Sequence, residues 1–474
     1  MKRRNFIPAL QERVGWKKGL QPFLYKELPP KTGWSATLGS LCVLLFVTMF
    51  VSGVFLAMYY NPSPDKAYQA IDYIMNDLPW GRFLRGIHHW GASAMVIAVF
   101  LHMMTSFFHG SYKSPRELTW ISGVLMLLIV LGLGFTGYLL PWDLKAYWAT
   151  TVSTNIPKDI PIVGGFLSRL ALGGSNISGL TLTRFYAIHA MLLPALLVGL
   201  IAFHIFLVRA HGIAEEVTEP LTGEELKVAK VYRFYPEHLL RASIVFAVVL
   251  IVLLGLSIFA HIPREQVAGT LVENYLPRPE WYYMWLFQLL TLFPGKYEAV
   301  GSLAIPTLGV LLLFGLPFLG RRSGRLGVRN RPLPLAAGVT AMAGIAYLTL
   351  MGFAGARPYG QTVVAPDRTL SAGEQRGLVL YVQRECSYCH QIDGQGGHRV
   401  GPDLKNEIAR HRSKDYLMRY IKDPRSINST SVMPRYNLSD ADLGALADFI
   451  LSLDFSAQRM KTVTREEVLG QHKP

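Results

Sequence analysis

The sequence has few charged residues: Asp, Glu, Lys and Arg together make up 17% of its 474 residues. Soluble domains carry about 25% charged residues, so this composition argues against an ordinary soluble protein. Hydrophobic residues reach 51% and indicate a chain embedded in a membrane. The net charge of +15 is then best explained by basic cytoplasmic loops. Because no nucleic-acid-binding motif accompanies this charge, we expect membrane lipid and not nucleic acid around the chain.

Cysteine is also scarce, and three cysteines argue against a framework of disulfide bonds. Cys386 and Cys389 belong to a Cys-x-x-Cys-His motif that ends at His390, whereas Cys42 stands alone in an apolar stretch. The motif is typical of a c-type haem, whose vinyl groups bond to both thiols while the histidine ligates the iron. Because such haems are attached outside the cytoplasm, the motif predicts an extracytoplasmic C-terminal domain.

The N-terminus lacks the continuous apolar core and the small-residue cleavage site of a signal peptide. It is basic and amphipathic, so residues 1–33 are predicted to lie on the membrane surface. Beyond it the chain contains apolar runs of about 20 residues, the length that spans a bilayer. We predict seven membrane-spanning helices, at residues 34–60, 86–109, 120–140, 183–209, 240–262, 299–319 and 334–355.

The predicted fold is therefore all-α: a seven-helix transmembrane bundle followed by a small α-helical domain. The expected divisions are a four-helix core at 34–239, a three-helix region at 240–355, and a linker with the C-terminal domain at 356–474. Residues 61–85 are predicted to form a loop with proline and aspartate, and residues 141–182 to contain short surface helices. The aromatic stretch 279–290 is too short to span and is predicted to be an interfacial helix.

The orientation follows from the placement of Lys and Arg. The basic N-terminus and the basic loop 320–333 must share one side of a seven-helix chain, and Lys113 and Arg116 lie on that same side. This side is predicted to be cytoplasmic. The connections 61–85, 141–182 and 263–298 and the C-terminal domain then face outward, as expected for a multi-pass protein of a bacterial inner membrane.

Two predicted spans each carry two histidines at a similar interval. His88 and His102 are 14 residues apart, and His189 and His204 are 15 residues apart. At 1.5 Å per residue these intervals correspond to about 21 and 22 Å along a helix axis. Both helices run from outside to inside, so His88 is level with His189 and His102 with His204. Imidazole is a common axial ligand of haem, and the pattern predicts two bis-histidine haem sites at different depths.

The alternative explanation is that each membrane histidine only bonds to a neighbouring helix, but four histidines in two depth-matched pairs make it less favourable. His89 points about 100° away from His88 on a helix, and only the interval selects His88. Four glycines at the same 14-residue interval support the haem sites, because a macrocycle between helices needs small residues: Gly39, Gly53, Gly123 and Gly137. Arg85 and Arg184 could pair with haem propionates or lie at the interface for general reasons.

These residues resemble the cytochrome b family of quinol-oxidising cytochrome bc complexes over about residues 30–355. The resemblance rests on LRGIHHWGASAMVIAVFLH, SPRELTWISGVLMLLIVLGLGFTGYLLPWD, LTRFYAIHAMLLPALLVGLIAFH and PEWYYMWLFQLL. The 15-residue interval and the seven helices are similar to the short, chloroplast-type branch. The resemblance implies quinol:cytochrome c oxidoreductase activity, proton translocation and a homodimeric complex.

The same resemblance implies a quinol site at the outer side, where Pro279, Glu280, Trp281 and Tyr282 match the family's motif. Glu280 would accept a proton from the quinol, and the alternative is a solvated loop acid. The two electrons would divide between a Rieske iron–sulfur partner and the outer b haem. The sequence has no further cysteine pairs for such a cluster, so a separate Rieske subunit is an implied partner.

At the inner side, Arg209 matches a basic residue near the family's quinone-reduction site, and His211 could supply a proton. The chain departs from the chloroplast-type branch on its first helix. There the branch has a cysteine that binds an extra haem covalently, and the corresponding residue is Thr37. Cys42 lies off that face, so we predict no extra covalent haem and assign Cys42 to the core.

The c-type haem needs a second axial ligand. Met433, 43 residues after His390, resembles the distal methionine of small cytochromes c, as the intervening GPDL at 401–404 resembles their conserved segment. Met418 is a rival that reads as helix core, and His398 and His411 are alternatives. A methionine–histidine pair raises the haem potential, which suits an acceptor of electrons from a Rieske centre.

The sequence thus predicts a cytochrome b subunit fused to its cytochrome c, with a further cytochrome c or other carrier accepting the electrons. One alternative is a membrane electron conduit that passes quinol electrons to the c haem without dividing them. Another is a haem-based redox or gas sensor, which the lack of an open coordination position disfavours.

Overall fold

The computed structural model describes most of the chain. The described residues are 21–29, 32–160, 162–174, 177–212, 232–268, 278–293, 297, 299–319, 331–354, 362–384, 386–394, 402–405, 412–427, 431, 433, 436–456 and 459–470. The predicted surface segment therefore lies mostly outside the described residues, as do most of the basic loop 320–333, His398 and His411.

Seven helices in the described part of the chain are long and apolar enough to cross a membrane, which confirms the predicted number. With the short helices between them they are labelled in chain order. The spans are Trp34–Ala57 (α2, regular from Leu38), Gly81–Phe108 (α4), Glu117–Tyr138 (α5), Gly179–His211 (α8), Phe234–Phe259 (α9), Val300–Phe318 (α11) and Pro332–Ala354 (α12).

The remaining elements are short. Their bounds are Gln21–Leu24 (α1), Ala67–Asn76 (α3), Leu144–Asn155 (α6), Gly164–Leu172 (α7), Met284–Thr291 (α10), Ala372–Gln383 (α13), Cys386–Cys389 (α14), Lys414–Lys422 (α15), Pro424–Ile427 (α16), Asp440–Leu451 (α17) and Arg465–Gly470 (α18). The strands are Glu27–Leu28 (β1), Tyr232–Arg233 (β2), Thr362–Pro366 (β3) and Met460–Thr464 (β4), paired antiparallel as β1–β2 and β3–β4.

The spans present apolar side chains on their outer faces. Phe50 and Val54 of α2 and Phe206 of α8 are among many large hydrophobic residues that the protein itself leaves exposed. Such surfaces are compatible with lipid, and a helix satisfies its backbone hydrogen bonds internally, as the bilayer core requires. The structure is all-helical apart from short strand pairs within the described residues.

The chain forms two compact units. The first contains residues 1–142, 182–264 and 307–344. Its core brings together five helices, α2, α4, α5, α8 and α9, through the buried residues Leu41, Leu45, Met95, Ala98, Val130, Leu197 and Leu253. Met95 and Ala98 lie between the two histidines of α4, and Leu197 lies between those of α8. A layer of apolar side chains therefore separates the two histidine levels.

The connection between α2 and α4 differs from the loop predicted for residues 61–85, because α3 forms within it. Ala67, Ile71 and Ile74 are buried along one face, a spacing of four and three residues that suits a short amphipathic helix. Asp72 of α3 also pairs with Arg264. The Pro and Asp residues obscured this periodicity in the sequence.

The second unit contains residues 143–181, 265–306 and 345–474. The predicted short helices of the connection 141–182 are present as α6 and α7, and the predicted interfacial helix is present as α10. In the C-terminal domain α13 packs against α17, and the fully buried Tyr381 and Phe449 contact each other with ring centroids 5.4 Å apart. Residues 362–366, predicted as part of a linker, instead form β3, because Val363, Val364 and Ala365 are buried in this core.

Gly377 is the point of closest approach between α13 and α17. A Cβ built on it would lie 2.0 Å from the carbonyl oxygen of Ala445, whereas one on Gly444 would lie 3.6 Å from the nearest atom, a carbon of the Lys414 side chain. Gly377→Ala is therefore expected to destabilise the domain by about 1–3 kcal/mol, and Gly444→Ala is the matched control. Hydrogen–deuterium exchange of α13 and α17 in the intact protein measures the effect; equal protection in both variants would contradict it.

Candidate functional site

The four predicted histidines lie in two facing pairs within the first unit. The ring centroids of His88 and His189 are 6.2 Å apart with planes at 73°, and those of His102 and His204 are 6.5 Å apart at 74°. One member of each pair comes from α4 and the other from α8. His89 contacts the ring of Trp90 at 4.9 Å instead.

The separation of the rings fits a metal ion between them. An imidazole nitrogen bound to a metal lies about 2.0–2.1 Å from it. Two imidazoles that ligate one ion from opposite sides therefore have ring centres about 6 Å apart. Both observed separations are close to this value.

Each predicted glycine faces one of these imidazoles. A Cβ built on Gly137 would lie 2.7 Å from His189 Cε1, and one on Gly53 would lie 3.1 Å from His88 Cε1. At the other level the corresponding distances are 3.3 Å from Gly39 to His102 and 3.7 Å from Gly123 to His204. Because these residues of α2 and α5 have no side chain, the imidazoles can occupy the volume beside them.

Three hydroxyl groups that sequence reasoning missed orient the imidazoles. Nδ1 of His88 is 3.0 Å from Ser52 Oγ, Nδ1 of His204 is 2.9 Å from Ser122 Oγ, and Nδ1 of His189 is 3.1 Å from Thr136 Oγ1. Each bond engages Nδ1 and leaves Nε2 for a metal, as outer partners of ligating histidines do. Each hydroxyl residue directly precedes a site glycine, so the pairs Ser52-Gly53, Ser122-Gly123 and Thr136-Gly137 carried the signal.

The backbone around His189 is adapted locally. Residues Ile188–Leu192 form one π-helical turn inside α8, immediately before Leu193–His211 resumes as α-helix. Pro194 has no amide hydrogen, so the regular hydrogen-bond ladder cannot continue through it. Single π-turns are frequent at functional sites, and this turn contains His189.

The predicted outer cations differ in environment. Arg85 is buried and donates from Nη2 to the carbonyl oxygen of Pro263 at 2.9 Å, whereas Arg184 is exposed. Tyr60, near the same end of the bundle, donates its hydroxyl to the Leu140 carbonyl at 2.7 Å. Burial, with a smaller contribution from Tyr186, raises the pKa of Tyr60, so this hydroxyl stays a neutral donor.

At the end of the bundle that is predicted to be cytoplasmic, the Arg209 guanidinium lies 4.7 Å from the Phe234 ring centroid, and His211 is exposed. His238 of α9, which sequence reasoning missed, is buried and its Nε2 lies 3.3 Å from Ser40 Oγ. Thr37 is buried and donates its hydroxyl to the Trp34 carbonyl at 2.7 Å. Cys42 packs at the edge of the five-helix core.

The segment with the predicted quinol-site residues lies in the second unit. Glu280 precedes a short 3-10 turn, Trp281–Tyr283, that leads into α10. Tyr282 is buried, Trp281 is partly exposed, and their ring centroids are 5.5 Å apart. Oε1 of Glu280 lies 2.6 Å from Nζ of Lys145, which belongs to the first turn of α6. This ion pair was not predicted from the sequence.

In the C-terminal domain, Cys386 is buried and Nδ1 of His390 lies 2.9 Å from the carbonyl oxygen of Pro402. Pro402 of the GPDL segment is therefore the hydrogen-bond partner of Nδ1. The other ring nitrogen of His390, Nε2, remains available to ligate a metal. Met433 and Met418 both pack against the domain core. A Cβ on Gly444 would lie 4.0 Å from the Met418 methyl carbon, so Met418 contacts α17, as its reading as helix core implied.

Three models of known protein families match parts of the chain. Residues 25–212 match the family described as cytochrome b/b6/petB, and residues 276–370 match cytochrome b(C-terminal)/b6/petD. Residues 374–454 match the cytochrome c family.

Individual proteins and one solved structure are also similar to parts of the chain. A menaquinol:cytochrome c reductase cytochrome b subunit of Bacillus subtilis is 48% identical over 177 residues, which cover 37% of this chain and 79% of the relative. A cytochrome b6 of Desmonostoc sp. is 39% identical over 210 residues, covering 44% of this chain and 98% of the relative. A solved structure of a hyperthermophilic respiratory complex III is similar with a TM-score of 0.66 and 28% identity, covering 73% of this chain and 91% of that chain.

Paired imidazoles on a bundle of membrane helices, with a Cys-x-x-Cys-His domain beyond them, define a membrane haem protein of electron transfer. The chain belongs to the cytochrome b/b6 family and continues into a cytochrome c domain.

The glycine distances predict a graded effect of alanine substitution on bound haem. Gly137→Ala is expected to displace His189 and reduce the non-covalent haem per chain, because its Cβ would overlap the imidazole. Gly123→Ala, with the longest of the four distances, is the matched control and should retain the haem. Acid–acetone extraction, which leaves covalent haem on the polypeptide, measures the difference. An equal loss of non-covalent haem in both variants would contradict the proposed role of the glycines.

Proposed function

We propose that the chain oxidises quinol at the outer side of a bacterial inner membrane. Electrons would pass inward along two b haems and outward to a c haem, with protons released outside. The observation that carries the proposal is that the same two helices hold two pairs of facing imidazoles. The ring centroids are 6.2 Å apart within one pair and 6.5 Å apart within the other. Two ligand sets separated along the bundle make a path across the membrane, which one site alone would not.

The cofactors that fit are two non-covalent b haems and one covalent c haem. His88 with His189 would hold the outer b haem, and His102 with His204 the inner one. Cys386 and Cys389 would bind the c haem, and His390 and Met433 would ligate its iron. When bound, these groups accept and donate single electrons. The protein's contribution is ligation, orientation through the Nδ1 partners, and an apolar layer between the levels.

Glu280 is the proposed proton acceptor. Its side chain is largely buried, with 16% of its surface exposed, and it sits beside Trp281 and the buried Tyr282. An aromatic, apolar surrounding suits a quinol ring, and a carboxylate within reach of a quinol hydroxyl can take its proton. Pro279 directs the chain into this turn, since it fixes its own backbone φ. At the inner side Arg209 and His211 remain the candidates for quinone reduction.

The proposed partners follow from this chemistry. The chain's three cysteines are accounted for by the c-type motif and the apolar α2, so a Rieske iron–sulfur subunit would supply the first acceptor for one quinol electron. The quinol is proposed to be a menaquinol-type substrate, as in the Bacillus subtilis relative's name. A soluble cytochrome c or a similar carrier would take electrons from the c haem, and the complex would be a homodimer with the N-terminus in the cytoplasm.

The experiment that tests the function replaces Glu280 in the purified complex. Glu280→Gln is expected to lower quinol-dependent reduction of cytochrome c by at least about tenfold, because the amide cannot accept the proton. The substrate is a short-chain menaquinol analogue, and haem content is measured in the same preparations. Asp77→Asn removes a carboxylate from an exposed position and is the control.

Full quinol oxidation by Glu280→Gln with normal haem content would contradict the proposal. Quinol-driven reduction of the c haem in a preparation that lacks any iron–sulfur partner would favour the alternative, a conduit that passes both electrons to the c haem without dividing them.

A further inference from the structure

The ion pair between Lys145 and Glu280 joins parts of the chain 135 residues apart. The atoms Nζ and Oε1 are 2.6 Å apart, and the two side chains are only 18% and 16% exposed. Removing one partner of a largely buried ion pair leaves the other charge uncompensated. Lys145 is therefore the charge partner of the Glu280 carboxylate.

Lys145 is held in place by its own backbone surroundings. Asp143 caps α6 by accepting from the amide of Ala146 at 2.9 Å, and the amide of Leu144 donates to the Gln266 carbonyl at 2.8 Å. These bonds fix the first helical turn, which carries Lys145. A cation in the first turn of a helix is unfavourable towards the helix dipole, so helix stability does not account for a lysine here, whereas the carboxylate of Glu280 does.

We propose that Lys145 is a positioning residue for quinol oxidation: its ammonium pairs with the Glu280 carboxylate and orients it until the carboxylate takes the proton. The inference rests on the proposed function of Glu280. An O–H bond of the quinol breaks and an O–H bond forms on the Glu280 carboxyl, while Lys145 keeps its protons. The electrons leave to the acceptors already named. Proton uptake removes the negative charge that held the ammonium, so the ion pair weakens.

Other titratable groups lie on the elements that carry the pair or on the segments next to them. They are Asp143, Tyr147, Glu265, Arg278, Tyr282 and Tyr283. Asp143 is already committed to backbone amides, those of Ala146 and Glu265. Substitution of Lys145 changes none of these groups, so a change in the pH profile between variants reports the pair itself.

The test measures the pH dependence of kcat/KM for the menaquinol analogue in the purified complex. Lys145→Met keeps the length of the side chain and removes its charge. Without the ammonium a buried carboxylate is ionised only at higher pH, so the acidic limb is expected to move up by about one pH unit or more. At the acidic end this is about a tenfold loss of rate, with the rate recovering towards wild type at alkaline pH. Lys145→Arg should restore the wild-type profile.

The controls separate the possible outcomes. Lys66→Met removes an exposed lysine and should leave the profile unchanged. A Lys145→Met complex with normal haem content and an unmoved acidic limb would overturn the inference, and so would a loss of rate that is the same at every pH. If Glu280→Gln is inactive while Lys145→Met is normal, only this inference fails. If Glu280→Gln is fully active, the proposed function itself fails.

Discussion

The constraint on which the structure depends is the presence of four imidazoles inside apolar helices. A polar group at membrane depth is costly unless it is partnered, and an imidazole has two nitrogens to satisfy. Hydroxyls of α2 and α5 engage Nδ1 of His88, His189 and His204. The Nε2 atoms are then available to a group bound between the facing rings. Because lipid provides no hydrophobic force between helices, a group bound in that space would hold α4 against α8 as well as serve electron transfer.

The sequence predicts those parts of the arrangement that depend on the geometry of a single helical segment. Hydropathy gave the seven spans, and the 14- and 15-residue intervals identified the four histidines and the glycines that face them. Two omissions have physical reasons. The ion pair of Lys145 and Glu280 joins residues too far apart for any local periodicity to reveal, and β3 pairs with β4 across the whole C-terminal domain. Each hydroxyl residue directly precedes a site glycine, so local sequence was sufficient to predict these three contacts.

The fusion of the b and c modules gives the chain a property that separate subunits lack. Two modules on one polypeptide meet at an effective concentration set by the connecting chain, not by their abundance in the cell. The C-terminal domain keeps its own core, built on α13 and α17 with β3 and β4 alongside. A domain with an independent core can be joined to a membrane bundle without altering the imidazole pairs, so the two cofactor systems could be combined without redesign of either.

The central claim, that the two imidazole pairs each hold one haem, is tested most directly by counting haems in the purified chain. Acid–acetone extraction separates non-covalent haem from the haem that remains attached at Cys386 and Cys389, and pyridine haemochrome spectra quantify both. The account predicts two non-covalent haems for each covalent one. A ratio of one to one, or a second covalent haem on the polypeptide, would contradict it.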